Sequence, residues 1–159
     1  MKSGRNLIGR PHGHAVNHFA VGFPVARSVA PRQPPAMSVR LRVVVIDDEP
    51  SVAEMTAFAL SAQGFATEFA ISGPAGLKLV QDTLPDAVVC DVRMPDLDGE
   101  QVLEQLRADA RTQKIPVLFL SGQCHPNEVA QGDAFMQKPF HLKELAETVA
   151  RLIAGRTAG

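Results

Sequence analysis

The feature that most constrains this chain is a short, unbroken apolar run that recurs and stops each time at a charged residue. Residues 43–46 read V-V-V-I and stop at Asp47-Asp48; residues 87–90 read A-V-V-C and stop at Asp91; a shorter run, 135–137, stops at Lys138-Pro139. A run that is apolar at every position, not at every second one, belongs to a strand covered on both faces. After Asp91 come Met94-Pro95 and Asp98-Gly99, which is turn chemistry, so this acid stands at the mouth of a loop. If these strands are parallel neighbours, three carboxylates and one ammonium meet at their ends.

The segments between the runs have helical character. Pro50-Ser51 opens a helix whose apolar positions Val52, Met55, Ala59 and Leu60 predict its inner face, and Gly64 closes it. A weak second strand is predicted at 67–70. A second helix starts in 72–76, turns Leu77, Val80 and Leu84 inward and is stopped by Pro85. A third follows Gly99 with Val102, Leu103 and Leu106 inside. Ile115-Pro116 leads into a fourth strand at 117–120, a fifth is predicted at 134–137, and a last helix runs from His141 to about Ala154. Alternation of this kind predicts an α/β fold: five parallel strands in a doubly wound sheet with right-handed crossovers. Its ligand site lies beyond the carboxyl ends of the strands.

That rule gathers Asp47, Asp48, Asp91, Ser121 and Lys138 around one crevice. Carboxylates about 5 Å apart repel by roughly 3 kcal/mol at an effective dielectric near 20, so the crevice should recruit a cation. Its candidate ligands are hard oxygens, a set that favours Mg²⁺, and Mg²⁺ favours phosphate. Asp91 is then a candidate nucleophile toward a phosphoryl group. Lys138 and the hydroxyl of Ser121 are candidates to hold its oxygens.

The motifs I-D-D-E at 46–49, D-V-R-M-P-D-L-D-G at 91–99, L-S-G at 120–122 and K-P-F at 138–140 together resemble the receiver domain of two-component response regulators. The resemblance covers residues 39–154. It implies a flavodoxin-like strand order 2-1-3-4-5, with Asp91 as phosphoacceptor and Mg²⁺ as cofactor. Asp48 would bind the metal directly and Asp47 through water, and the backbone carbonyl of Arg93 would be a further ligand. Ser121 would be the switch hydroxyl, Lys138 the phosphate-contacting lysine and Phe135 the switch aromatic. Arg93 and Gln123, each two residues beyond a site residue, would tune the rate of phosphoryl loss. The implied partners are a histidine kinase or histidine phosphotransfer protein and a downstream protein target, with no direct nucleic acid and no membrane. The connection from Ser121 to Lys138 is shorter than the family commonly has and holds Pro126 and Gly132, which predicts a short or missing fourth helix. Only a few residues follow the last helix, so output is expected through protein contacts or onward phosphotransfer.

Two other classes compete. A small-molecule aspartyl-phosphate hydrolase needs an acid two residues after its nucleophile, where this chain has Arg93. A phosphorylation-independent adaptor would keep the fold without needing three mutually repelling acids. The expectation is a signalling phosphoacceptor, not an enzyme acting on a separate substrate.

Residues 1–38 stand apart: they contain no Asp or Glu, carry five Lys or Arg and include Pro31-Arg32-Gln33-Pro34-Pro35. That composition predicts a disordered basic leader before a domain at 39–155 and a tail at 156–159. An arm that touches acidic surfaces, and translation starting at Met37, are further readings. The formal net charge of -1 gives no whole-chain electrostatic case for nucleic acid or membrane. Two cysteines, Cys90 and Cys124, are too few for a disulfide framework and fit the reducing cytoplasm.

Overall fold

The computed structural model describes residues 39–122 and 132–158. The predicted leader, Gln123 and the short or missing helix before the fifth strand lie outside these residues. The described residues follow the order β1 (Arg42–Ile46), α1 (Pro50–Ala62), β2 (Ala66–Ala70), α2 (Gly73–Thr83), β3 (Ala87–Asp91), α3 (Gly99–Ala108), β4 (Val117–Ser121), β5 (Ala134–Gln137) and α4 (Leu142–Thr157). All pairings are parallel, and the sheet order is β2-β1-β3-β4-β5. This is the doubly wound arrangement that the alternation predicts, in the flavodoxin-like strand order that the resemblance implies.

The apolar runs are continuous because each strand feeds two cores. Val43, Val45, Val89, Leu118 and Leu120 turn to one face, where Ala57, Leu60, Leu145 and Val149 cover them. Val44, Ile46, Val88, Cys90 and Phe119 turn to the other, beneath Val80, Val102 and Leu106. Each large side chain removed from water in this way contributes about 1.5–3 kcal/mol. No described helix is long and apolar enough to cross a membrane.

The helix ends follow local chemistry. Gly64, at φ 101°, closes α1 in a Schellman motif, with its N–H on Ser61 O and that of Phe65 on Leu60 O. Asp98 and Gln101 form a reciprocal capping box at the start of α3. Two expectations need correction. The buried face of α1 is Ala53, Thr56, Ala57, Ala59 and Leu60, whereas Met55 is 65% exposed. Small residues let α1 approach β1, β2 and α4 closely, and the larger side chain is left outside. Leu84 does not face inward: it caps α2 in the left-handed region at φ 47° and is half exposed.

Candidate functional site

The carboxyl ends of β1, β3 and β5 converge on one crevice. Asp47 follows β1 directly and is buried; Asp48, one residue on, is exposed. Asp91 is the last residue of β3 and is 9% exposed. The sheet brings one carboxylate oxygen of each of Asp47, Asp48 and Asp91 within 4.8 Å of the others. Lys138, just past β5, donates through Nζ to Asp47 Oδ2 at 2.7 Å and to Asp91 Oδ1 at 3.0 Å. Its backbone N–H donates to Ser121 O at 2.8 Å, and the Lys138–Pro139 peptide is cis.

The loop after β3 is held close by the start of α3. Gly99 N–H donates to Val92 O at 2.9 Å, and a Cβ on Gly99 would lie 2.4 Å from Asp91 O. Only glycine lets α3 start this near the candidate nucleophile. Asp98-Gly99 is therefore more than turn chemistry: it supplies the cap of α3 and this close approach. The D-x-x-Q spacing at 98–101 was the available signal.

The other expected residues flank the crevice. Ser121 ends β4, one residue beyond Leu120, the register partner of Asp91, and is buried. Phe135 pairs with Phe119 across β4 and β5 and packs, half buried, on the core beneath α2 and α3. Arg93 is exposed in the loop after β3.

The electrostatics follow from one ammonium serving several acids. Burial raises the Asp91 pKa; Lys138 pulls it down through its hydrogen bond and charge, Asp47 and Asp48 push it up again, and the net direction is upward. For Lys138 burial opposes the charged form, but the hydrogen bonds to Asp47 and Asp91 outweigh it and the pKa rises. Three carboxylates against one ammonium leave the site with negative charge in excess. Hard oxygen donors in a crevice whose acids outnumber its one ammonium fit a small divalent cation of the Mg²⁺ type. Cys90 belongs to the core: its thiol donates to Asp91 O at 3.2 Å, and burial first, then the neighbouring acids, push its pKa far up.

A family model described as the response regulator receiver domain matches residues 43–150. The chain belongs to this family. The response regulator Rre1 of Synechocystis sp. is 36% identical over 128 residues, which are 77% of this chain and 55% of Rre1. A second Synechocystis relative, named as the DNA-binding dual master transcriptional regulator RpaA, is 32% identical over 117 residues, 70% of this chain and 48% of RpaA. The chain thus spans about half the length of these curated relatives. Among solved structures, the receiver domain of a Pseudomonas aeruginosa sensor histidine kinase has a TM-score of 0.68 at 22% identity, covering 72% of this chain and 98% of that one. That structure carries a magnesium ion coordinated in its active-site cleft.

Proposed function

We propose that this receiver domain accepts a phosphoryl group on Asp91 from a histidine kinase or a histidine phosphotransfer protein. It then signals by protein contact or passes the group on to another histidine. The observation that carries this reading is the placement of Lys138 between Asp47 and Asp91, at 2.7 and 3.0 Å, with Asp48 beside them. The domain corresponds to residues 39–155, and its setting, given such donors, is the cytoplasm.

Asp47, Asp48, Asp91 and the backbone carbonyl of Arg93 are the groups that would hold Mg²⁺. When bound, the ion offsets the negative charge of the crevice and of the phosphoryl oxygens. The carboxylate of Asp91 attacks phosphorus; a P–O bond forms, and the P–N bond to the donor imidazole breaks with its electron pair going to nitrogen. Lys138, already at Asp91, is within reach of the transferred oxygens, and the Ser121 hydroxyl is the further donor on the neighbouring strand. Phe135, beside Phe119, is the aromatic that repacks as Ser121 moves toward the phosphoryl group.

A hydrolase acting on free phosphate esters is disfavoured by Arg93, since arginine cannot serve as the general acid such an enzyme needs at that position. DNA binding is said of RpaA as a whole protein; the direct target proposed for this domain is another protein. The test is intact mass after incubation with a small phosphodonor and Mg²⁺. Wild type is expected to gain one phosphoryl group and Asp91→Asn none. Equal modification of the two removes Asp91 as phosphoacceptor.

A further inference from the structure

Lys138 reaches the acids from β5, and β5 has weak anchorage of its own. It is a four-residue edge strand, paired on one side only, with a single buried residue, Met136. A slip of one residue would turn every side chain of β5 to the opposite face and carry Lys138 away from the crevice. Something other than core burial has to fix the register.

The residue placed to do so lies at the opposite end of the strand from the crevice. Asp133 N–H donates to Val117 O at 3.0 Å, and the N–H of Val117 returns a bond to Asp133 Oδ2 at 2.7 Å. This closed pair ties the residue before β5 to the first residue of β4. The same Oδ2 accepts from Arg107 Nη2 at 2.7 Å. Arg107 sits in the last turn of α3, and its Nη1 donates to Gln113 O at 3.0 Å and Ile115 O at 2.9 Å in the connection to β4. One guanidinium therefore joins the end of α3, the approach to β4 and the start of β5. Gly132 completes the fit, because a Cβ there would lie 2.7 Å from the Phe119 ring. The Arg107 and Asp133 side chains are 34% and 42% exposed, a setting in which an ion pair adds little to global stability. Its geometry serves alignment better than it serves stability.

We propose that the Arg107–Asp133 clasp is a positioning device that sets the register of β5 and so places Lys138 between Asp47 and Asp91. Resting on the phosphoacceptor reading above, it makes Arg107 and Asp133 positioning residues for phosphoryl transfer, acting through Lys138 from the far end of the sheet.

The test is a cycle of variants in the full chain, with rates of phosphorylation by a small phosphodonor in Mg²⁺ and hydrogen exchange of the β5 amides. Asp133→Ala is expected to slow phosphorylation about ten- to hundredfold, the scale of an ångström-sized misplacement. Asp133→Asn keeps an acceptor for the Val117 N–H and should recover most of that rate, a rescue that loss of charge alone would not give. Arg107→Lys keeps the charge but cannot bridge three acceptors, and should raise β5 exchange while the protein stays folded. Combined with Lys138→Ala, Asp133→Ala should add no further loss, because both remove the same interaction. Wild-type rates in Asp133→Ala, or losses that multiply with those of Lys138→Ala, overturn the inference. A wild-type rate in Lys138→Ala overturns it as well, because the clasp acts through Lys138; modification of Asp91→Asn to the wild-type extent is the separate result by which the phosphoacceptor reading fails.

Discussion

The ammonium of Lys138 meets Asp91 Oδ1 at 3.0 Å from a strand two places away in the sheet. The contact links residues 47 apart in sequence and depends wholly on the parallel order of β3, β4 and β5. The same Nζ neutralises Asp47, whose side chain is only 5% exposed, so Lys138 holds together a cluster that repels itself.

Removal of that ammonium should destabilise the fold. Lys138→Ala leaves the buried Asp47 without its cation, a loss of roughly 1–3 kcal/mol for a buried acceptor stripped of its donor. The Lys138 pKa is raised above its ordinary 10.5, so the stabilisation is fully present below that value and is lost as pH rises through the higher one. Urea unfolding of wild type and variant at neutral pH measures the difference. Saturating Mg²⁺ should narrow it, because the variant has one positive charge fewer beside its acids, binds the cation more tightly and gains more from it.

The opposite substitution should stabilise the metal-free protein. The folded state holds the Asp91 proton more tightly than the unfolded chain, through burial first and the neighbouring acids after it. Stability contributed by this group therefore falls as pH rises from the ordinary 3.8 through the raised value, and the cost persists at neutral pH. Asp91→Asn removes the repelling charge and keeps an oxygen for Lys138. It should gain on the order of 1 kcal/mol at pH 7 without Mg²⁺, against like-charge repulsion of that scale. Thermal unfolding in a chelator, followed across pH, checks it; a variant less stable than wild type would refute the balance described.

The strands and the site were legible in the sequence because both rest on the same local signal, an apolar run that ends in a charge. Asp47, Asp91 and Lys138 are each the first charged residue at such an end, and a parallel sheet brings strand ends together without further instruction. The inner face of α1 was legible only at its end, where Ala59 and Leu60 are buried as expected. Large apolar residues at helical spacing suggested Val52 and Met55, yet the close approach of α1 to β1 and β2 is made by Ala53, Thr56 and Ala57, and small residues give a weak periodic signal. The Arg107–Asp133 clasp left no trace at all. Both are ordinary surface residue types, 26 positions apart, and only the β4–β5 register brings them together.

The exposed acid of the cluster should dominate metal binding. Asp47 is engaged at both oxygens, by Lys138 and by the N–H of Glu49, whereas Asp48 is exposed to an incoming ion. Glu49 is turned to the Ser51 hydroxyl at 3.1 Å. In a calorimetric titration with Mg²⁺, Asp48→Ala should lose about tenfold or more in affinity, on the scale of 1.4 kcal/mol per factor of ten. Glu49→Ala should stay near wild type. Equal affinities for the two variants would take Asp48 out of the metal shell.

The rate of phosphoryl loss should be set by the side chains of Arg93 and Gln123. Arg93 lies two residues past Asp91 and is exposed, and in the sequence Gln123 comes two residues after Ser121. A guanidinium can grip phosphoryl oxygens with its planar fork, while an amide can orient or obstruct an attacking water. Neither side chain belongs to the acid cluster, so replacing either should leave Mg²⁺ affinity nearly unchanged while altering the lifetime of the aspartyl phosphate. Exchanging the two residues, as Arg93→Gln with Gln123→Arg, should change the dephosphorylation rate by about tenfold or more, an energy near 1.4 kcal/mol. The decay of the phosphorylated species, followed by intact mass after the donor is removed, gives that rate directly. Unchanged decay in the double variant would move control of the lifetime from these two side chains to the buried Ser121 and the half-buried Lys138.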